Sequence, residues 1–274
     1  MTKIEKVLEY LSKKEWYLRS DWQRIKKYLD ENAKEMEDIR SVKRYKFMFK
    51  QPLFFEHDLT TYKTGRIFAK YVLLPNKPIL DKYIKELIIP REDYIFVSFD
   101  FSGSQMRHLA AYKNLKKVKE IFEKDLDIYT EFAKETGIHN RQLCKDIMLP
   151  LSFGGTKRTL ERNFVLELDE KEISKATKVY QDWFEVDIND YENNVKLSHI
   201  AQRLEADFMK KKLIRLHEKS GEKFALHAFI HDEIICEVHK DHLTHIEKIK
   251  NYLEKNESIK MKVKVKQSKT FQFK

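Results

Sequence analysis

The run Tyr94-Ile-Phe-Val-Ser-Phe99 shows no polar alternation and ends on Asp100. Aromatic and β-branched residues without a wet side suit a strand covered on both faces. Such a strand needs neighbours beside it and layers above and below it. Near the C-terminus the period changes to two. Residues 224–230 and 233–238 read as strands, and His231-Asp232 falls between them where a hairpin turns. Lys262-Val-Lys-Val-Lys266 alternates strictly and reads as a last strand with one wet face.

The stretches around these strands are helical in period. Residues 1–45 carry two apolar stripes, Ile4, Leu8, Tyr10 and Leu11, then Trp22, Ile25, Tyr28 and Leu29, with Lys and Arg in the gaps. Residues 105–135 read as helices broken near Asp125. Residues 139–153 read as a helix up to Pro150, whose missing amide donor should kink or break it, and Gly154-Gly155 make a stop. Residues 170–217 are long, polar and helical. Asp241 is placed to cap a helix through Ile246, Ile249 and Leu253. The order predicts an α+β fold with an antiparallel sheet.

The 274 residues give room for one large or two small domains with a hydrophobic core. Hydrophobic residues at 42% and charged residues at 36% exclude a disordered class. No stretch approaches the ~18 uninterrupted apolar residues of a spanning helix. Lys and Arg number 54 against 44 Asp and Glu, a net charge of +10. That excess fits a polyanionic partner, nucleic acid or an anionic membrane surface, and equally a basic protein with neither. Cys144 and Cys236 make no CxxC pair and no disulfide framework, which fits a reducing interior, and the N-terminus has no apolar signal region.

Asp100 and Asp232 are the residues with chemistry to offer. A carboxylate at the end of a buried strand is costly unless something neutralises it. If the C-terminal hairpin lies beside residues 94–100, the two carboxylates meet. Two hard oxygen ligands facing each other can hold Mg²⁺ ions ~3.5–4 Å apart, the spacing for in-line phosphoryl displacement. Capping or solvated aspartates would give the same sequence. In 141–153, Arg141, Lys145, Leu149 and Phe153 recur every four residues and fall along one side of a helix. Two cations followed by two apolar groups suit a nucleoside triphosphate, phosphates at one end and base and sugar at the other. An amphipathic helix with ordinary surface charges has the same pattern.

Asp100-Phe-Ser-Gly-Ser-Gln-Met-Arg107 is similar to motif A of the family A DNA polymerases, the DNA polymerase I type. Residues 141–154 resemble their motif B, the fingers helix with Arg-x3-Lys, and Ala228-Phe-Ile-His-Asp-Glu233 resembles motif C. Thr64-Gly65-Arg66, Asp127-Ile-Tyr-Thr130, Gln202 with Asp207, and Val263-x-Val-x-x-Ser268 resemble further segments, all in the family's order. The resemblance implies a right-hand polymerase fold in which Asp100 and Asp232 hold two Mg²⁺ ions (with Mn²⁺ as a substitute), assisted by the Phe101 carbonyl. It implies that Arg141 and Lys145 grip the triphosphate and that Lys145 protonates departing pyrophosphate. Leu149, Phe153, Gln105 and Tyr129 would line the nucleotide site. Arg66, Gln202 and His231 would touch primer or template, with Glu233 and Arg107 in support.

Four positions depart from the family pattern. Gln105 stands for a Glu that helps exclude the ribose 2′-hydroxyl, Leu149 for an aromatic residue, Phe153 for Tyr and Tyr129 for His. The short length before Thr64 predicts a reduced thumb and no proofreading exonuclease. The expected layout is a short helical thumb-like region over 1–60 and a palm over 61–112. Reduced fingers follow over 113–195, with the motif B helix at 139–154, and the rest of the palm over 196–274. The function so implied is template-directed DNA synthesis from dNTPs on a primer–template, by a monomer with possible replisome partners. No membrane is involved. The location would be the cytoplasm or the compartment of the genome copied, with a virus or mobile element as a source that suits the small size. The alternatives are an RNA polymerase, primase-like or template-independent enzyme with relaxed sugar selection, and a non-catalytic DNA-binding accessory subunit. His227, His231, His239, His242 and His245 lie close in sequence without the usual zinc spacing and read as ordinary histidines. Cys144 reads as a packed neighbour of Lys145.

Overall fold

A computed structural model describes residues 1–14, 17–18, 55–58, 64–71, 85–86, 88–164, 168–230, 232–256 and 258–273. The stripe Trp22, Ile25, Tyr28 and Leu29, and the hairpin residue His231, lie outside them. Two short antiparallel pairs come first, β1 (Tyr17–Leu18) with β4 (Ile88–Ile89), and β2 (Phe55–Asp58) with β3 (Phe68–Tyr71). The main sheet comprises β5 (Tyr94–Phe101), β6 (Phe224–Ile230), β7 (Glu233–His239) and β8 (Val263–Ser268), in the order β6-β7-β5-β8, all antiparallel. The unpatterned run is therefore an interior strand, and Phe96, Val97, Ser98 and Phe99 in its middle are all buried. The two period-two runs form the expected hairpin, with an irregularity between Leu226 and Ala228.

The helices are α1 (Lys3–Lys13), α2 (Ser104–Lys113), α3 (Lys116–Glu123), α4 (Ile128–Thr136), α5 (Arg141–Ser152), α6 (Lys157–Phe164), α7 (Glu170–Phe184), α8 (Tyr191–Glu218) and α9 (Thr244–Glu254). Thr2 and Glu5 close a capping box on α1. The helical expectation for the N-terminus holds over Lys3–Lys13 and fails at Tyr17–Leu18, which pairs as a strand with Ile88–Ile89; residues 19–45 lie outside the described residues. The break near Asp125 is real, and a second precedes it at Asn114. Both residues adopt positive φ. The stretch 170–217 is two helices, with α7 ending at Glu185 in the left-handed region.

Two local expectations are corrected. Pro150 does not break its helix, since α5 continues to Ser152 with the proline in its last turn. Its carbonyl still accepts from the amides of Phe153 (3.0 Å) and Gly155 (2.8 Å), so the turn closes despite the missing donor. The stop that follows demands glycine. A Cβ on Gly154, at φ +85°, would come within 2.8 Å of Val195 Cγ2, and one on Gly155 within 2.7 Å of the Pro150 oxygen. Asp241 does not cap α9, which starts at Thr244. It lies in a 3-10 turn whose amide is taken by His239 Nδ1 at 3.2 Å.

The chain divides into two compact units. A sheet unit holds Met1–Phe101, Met209–Leu253 and Val263–Lys274, and a helical unit holds Ser102–Phe208 and Glu254–Lys262. Within the sheet unit Leu11, Phe96, Phe99, Leu213, Leu226 and Ile234 are fully or almost fully buried. In the helical unit Phe132 meets Trp183 edge-on at 5.6 Å, and Tyr180 stacks on Phe184 at 4.5 Å.

One buried ionic cluster crosses the sheet unit. Glu237 has no exposed surface, yet its carboxylate lies 3.2 Å from Lys14 Nζ and accepts from the backbone and Nε of Arg91, each at 3.0 Å. His227 Nδ1 stands 3.7 Å away, beyond hydrogen-bond reach. Burial opposes ionisation of Glu237, but these neighbours outweigh it and hold the carboxyl well below its usual range. Burial pushes His227 down to about 4, and does the same to His108, which faces the Phe208 ring in the helical unit.

Both histidines are thus neutral when folded and have an unfolded value of ~6.5. As pH falls from 6.5 to about 4 the unfolded chain takes up protons first, so stability drains away across that window and not below it. The full effect is on the order of 3 kcal/mol per histidine. Glu237, with its depressed folded value, keeps its contribution above pH ~4.3 and sheds it only at lower pH. The thermal midpoint should therefore drop between pH 6.5 and 4.5, and His227→Phe should shrink the drop. A midpoint that stays level over that range would contradict the assignment.

Candidate active site

The register of the main sheet decides where the carboxylates go. Asp100 stands opposite Glu233 on β7 and opposite Lys264 on β8. The Phe101 amide donates to the Asp232 carbonyl at 3.3 Å, so Asp100 and Asp232 come to the same end of the β5–β7 pair. Ser98, two residues before Asp100 and on its face of the strand, donates its hydroxyl to the Glu233 carboxylate. Glu233 is pushed up mainly by burial and further by the charge of Asp100, while Ser98, Lys85 and Lys266 pull it back. The charge of Asp100 therefore adds to the cost of ionising Glu233, a situation a divalent cation relieves. Among the described residues no three His, Cys, Asp or Glu side chains converge as a metal cage. The sheet end offers two aspartates and backbone carbonyls, a donor set of hard oxygens that fits Mg²⁺ completed by substrate phosphates.

The helical unit presents the other predicted residues. Asn140 caps α5 through the amides of Gln142 and Leu143. The helix buries Cys144, Ile147, Met148 and Leu151, while Arg141 and the C-cap residue Phe153 are exposed and Lys145 and Leu149 are half-buried. Phe153 is 46% exposed, unusual for a phenylalanine. Arg141 is already engaged. Its Nε and Nη2 donate to the two carboxylate oxygens of Asp127 at 2.9 and 2.6 Å, and its guanidinium lies 5.2 Å from the Tyr129 ring centre. Asp127 also caps α4 through the Thr130 amide. Lys145 forms no ion pair among the described residues.

Gln105 on α2 donates to the buried Glu205 at 3.4 Å, a long contact, and Gln202 donates to Ser198 at 3.2 Å. Arg107 is 2% exposed; it bonds the carbonyls of Ser102 (3.0 Å) and Lys260 (2.7 Å) and covers the Phe122 ring at 4.1 Å. Burial lowers it to about 10. Those partners make Arg107 a brace for the start of α2. In the sheet unit Arg66 follows Gly65, whose φ is +69°, and both are half-buried. The rings of His239, His242 and His245 follow one another with centres 5.7 Å apart.

Three residues escaped sequence reasoning: Ser98, Glu205 and Glu237. Ser98 and Glu237 are polar residues within apolar stretches, and that interruption was the available signal; Glu205 sits in a polar stretch and gave none. Only Ser98 touches the carboxylate end.

A family model described as DNA polymerase family A matches residues 4–203, which includes motif A and the α5 segment. The chain belongs to DNA polymerase family A. Among solved structures, the chain resembles the POL domain of Pol1 from M. smegmatis, a complex with DNA primer-template and dNTP, at a TM-score of 0.65 and 16% identity. The match covers 85% of this chain and 52% of that one, so this family A chain spans about half the length of that one. At such identity the likeness establishes the fold, an α+β polymerase architecture. A search of curated proteins finds no match.

Proposed function

We propose that this chain is a template-directed DNA polymerase joining dNTPs to a primer 3′-hydroxyl. The observation that carries the proposal is the β5–β7 register, which brings the motif A and motif C aspartates to one sheet end. Asp100 and Asp232, with the Phe101 carbonyl, would hold two Mg²⁺ ions. When bound, these ions would lower the pKa of the attacking hydroxyl and stabilise the leaving oxygen. Arg141 and Lys145 would take the triphosphate oxygens, Arg141 through its planar fork and Lys145 as a point charge. Lys145 would also hold the proton delivered to the departing pyrophosphate. Phe153 offers an exposed ring to the nascent base pair, with Leu149 and Tyr129 beside it on the nucleotide. His231, Gln202 and Arg66 would contact primer or template.

In this reading the main sheet belongs to the palm and α5 is the fingers helix. The enzyme would work as a monomer. A second reading has one specific support. Gln105 is a neutral amide that donates to Glu205, so sugar discrimination rests on a different group from the family's glutamate. That allows ribonucleotide or mixed synthesis.

The test is primer extension by the purified chain with Mg²⁺, offering dNTPs and NTPs in separate reactions. Extension that follows the template with dNTPs alone is expected. NTP use would favour the second reading, and no extension with DNA still bound would favour an accessory binding role. In the same assay Lys145→Ala should lower kcat/KM for dNTP by about 10²-fold or more. A change below about threefold would remove Lys145 from proton transfer.

A further inference from the structure

A cavity of about 460 Å³ opens in the sheet unit, walled by the last turns of α8, the connection into β6, and α9. It lies at the end of β6 away from Asp232. The seven residues of β6 intervene, roughly 23 Å of strand, so it is not part of the carboxylate site. Its floor is apolar, formed by Leu216, Phe224 and Ile249, all buried. Its rim is cationic. Arg215, Lys219, Lys223 and Lys248 line it, with Glu222 the single carboxylate among the lining residues. Arg215 shares its charge with Glu218 at 3.3 Å, whereas the three lysines form no ion pair among the described residues.

An apolar floor ringed by uncompensated ammonium groups selects an anionic partner that also carries apolar side chains. Nucleic acid supplies the anion, but its bases bind by stacking on open ring faces. The rings here are not presented that way. The Lys212 ammonium sits 4.3 Å from the centre of the Tyr252 ring, and Phe224 is buried against His245. We infer that this cavity docks an acidic peptide segment of a partner protein, whose leucine or phenylalanine enters the floor while Asp and Glu side chains meet Lys219, Lys223 and Lys248. A buried apolar anchor with a charged surround is a recurrent way to bind a short segment. The inference is independent of the nucleotide chemistry proposed above.

Gly221 provides a clean test. It lines the cavity, a Cβ there meets nothing within 4 Å, and its φ is outside the left-handed region. Gly221→Glu therefore adds a negative charge at the cavity without backbone strain. The probe is a fluorescein-labelled decapeptide with Leu-Phe flanked by Asp and Glu, titrated into the full chain and followed by anisotropy. A labelled oligo-dT of equal charge and a peptide with Ser-Ser for Leu-Phe run alongside. Saturable peptide binding is expected, weakened at least about tenfold by Gly221→Glu, by Lys219→Glu and by the Ser-Ser change. Melting curves and primer extension of both variants should match the parent, which separates lost docking from lost folding. Absence of saturable peptide binding, or binding indifferent to the variants or to Ser-Ser, would overturn the inference. Loss of oligo-dT binding in the variants with the peptide unaffected would overturn it in favour of a nucleic-acid site.

Discussion

Replacing Asp100 or Asp232 with alanine is expected to lower primer extension by about 10³-fold or more while the sheet unit stays folded. In the proposed two-metal reading, each change would remove one of the two charged hard-oxygen ligands at the sheet end. The metal's stabilisation of developing charge is worth several kcal/mol, and each ~1.4 kcal/mol is tenfold in rate. The fold has little at stake. Both aspartates are half-buried rather than core residues, and strand propensity accounts for about 1 kcal/mol at most. Asp100→Ala also takes away the charge that raises Glu233, so removing it relieves a local repulsion. Steady-state extension with Mg²⁺ gives the rate, and a melting curve confirms the fold. Glu233→Gln should cost far less, because Glu233 is turned to the Ser98 hydroxyl. Either alanine variant working within about tenfold of the parent would sink the two-metal assignment.

The second large effect concerns stability. Glu237→Ala is expected to destabilise the sheet unit by about 3–5 kcal/mol, the usual result of deleting one partner of a buried ion pair. The loss is not the pair's attraction alone. Lys14 and Arg91 remain beside an apolar sheet face with no carboxylate, and the Arg91 amide loses its acceptor. Domains of this size carry only about 5–15 kcal/mol in total, so a large fraction disappears. Glu237→Gln should fall between, since an amide oxygen still accepts from Arg91 without balancing the charges. Urea midpoints measure both variants. A shift worth less than about 1 kcal/mol in Glu237→Ala would show that the cluster is not what holds these elements together.

The sequence made the sheet legible because burial imposes a pattern. A strand covered on both faces cannot alternate, which exposed β5, and a hairpin between two period-two runs located Asp232. The four-residue recurrence in 141–153 kept Arg141, Lys145, Leu149 and Phe153 out of the buried face of α5, with Arg141 and Phe153 exposed and the other two half-buried. Pairings between distant positions left no periodic trace. Nothing in the order of residues links Lys14, Arg91, His227 and Glu237, since only folding brings those segments together. Pro150 and Asp241 failed for a related reason. The local rules are sound, but a proline in a last turn forfeits one donor only, and Asp241 sits inside a 3-10 turn capped by His239, ahead of a helix that starts only at Thr244.

The clasp between Arg141 and Asp127 has a consequence for any anion that approaches α5. The guanidinium is already held flat and pointed, so little rotational freedom remains to be lost when a phosphate arrives. Against that, the phosphate displaces a carboxylate that has two hydrogen bonds to the same fork, and its gain is only the difference between two strong acceptors. Asp127, once displaced, keeps the Thr130 amide and goes on capping α4. Ligand exchange at one arginine can then proceed without unravelling the neighbouring helix, as a substitution rather than an opening.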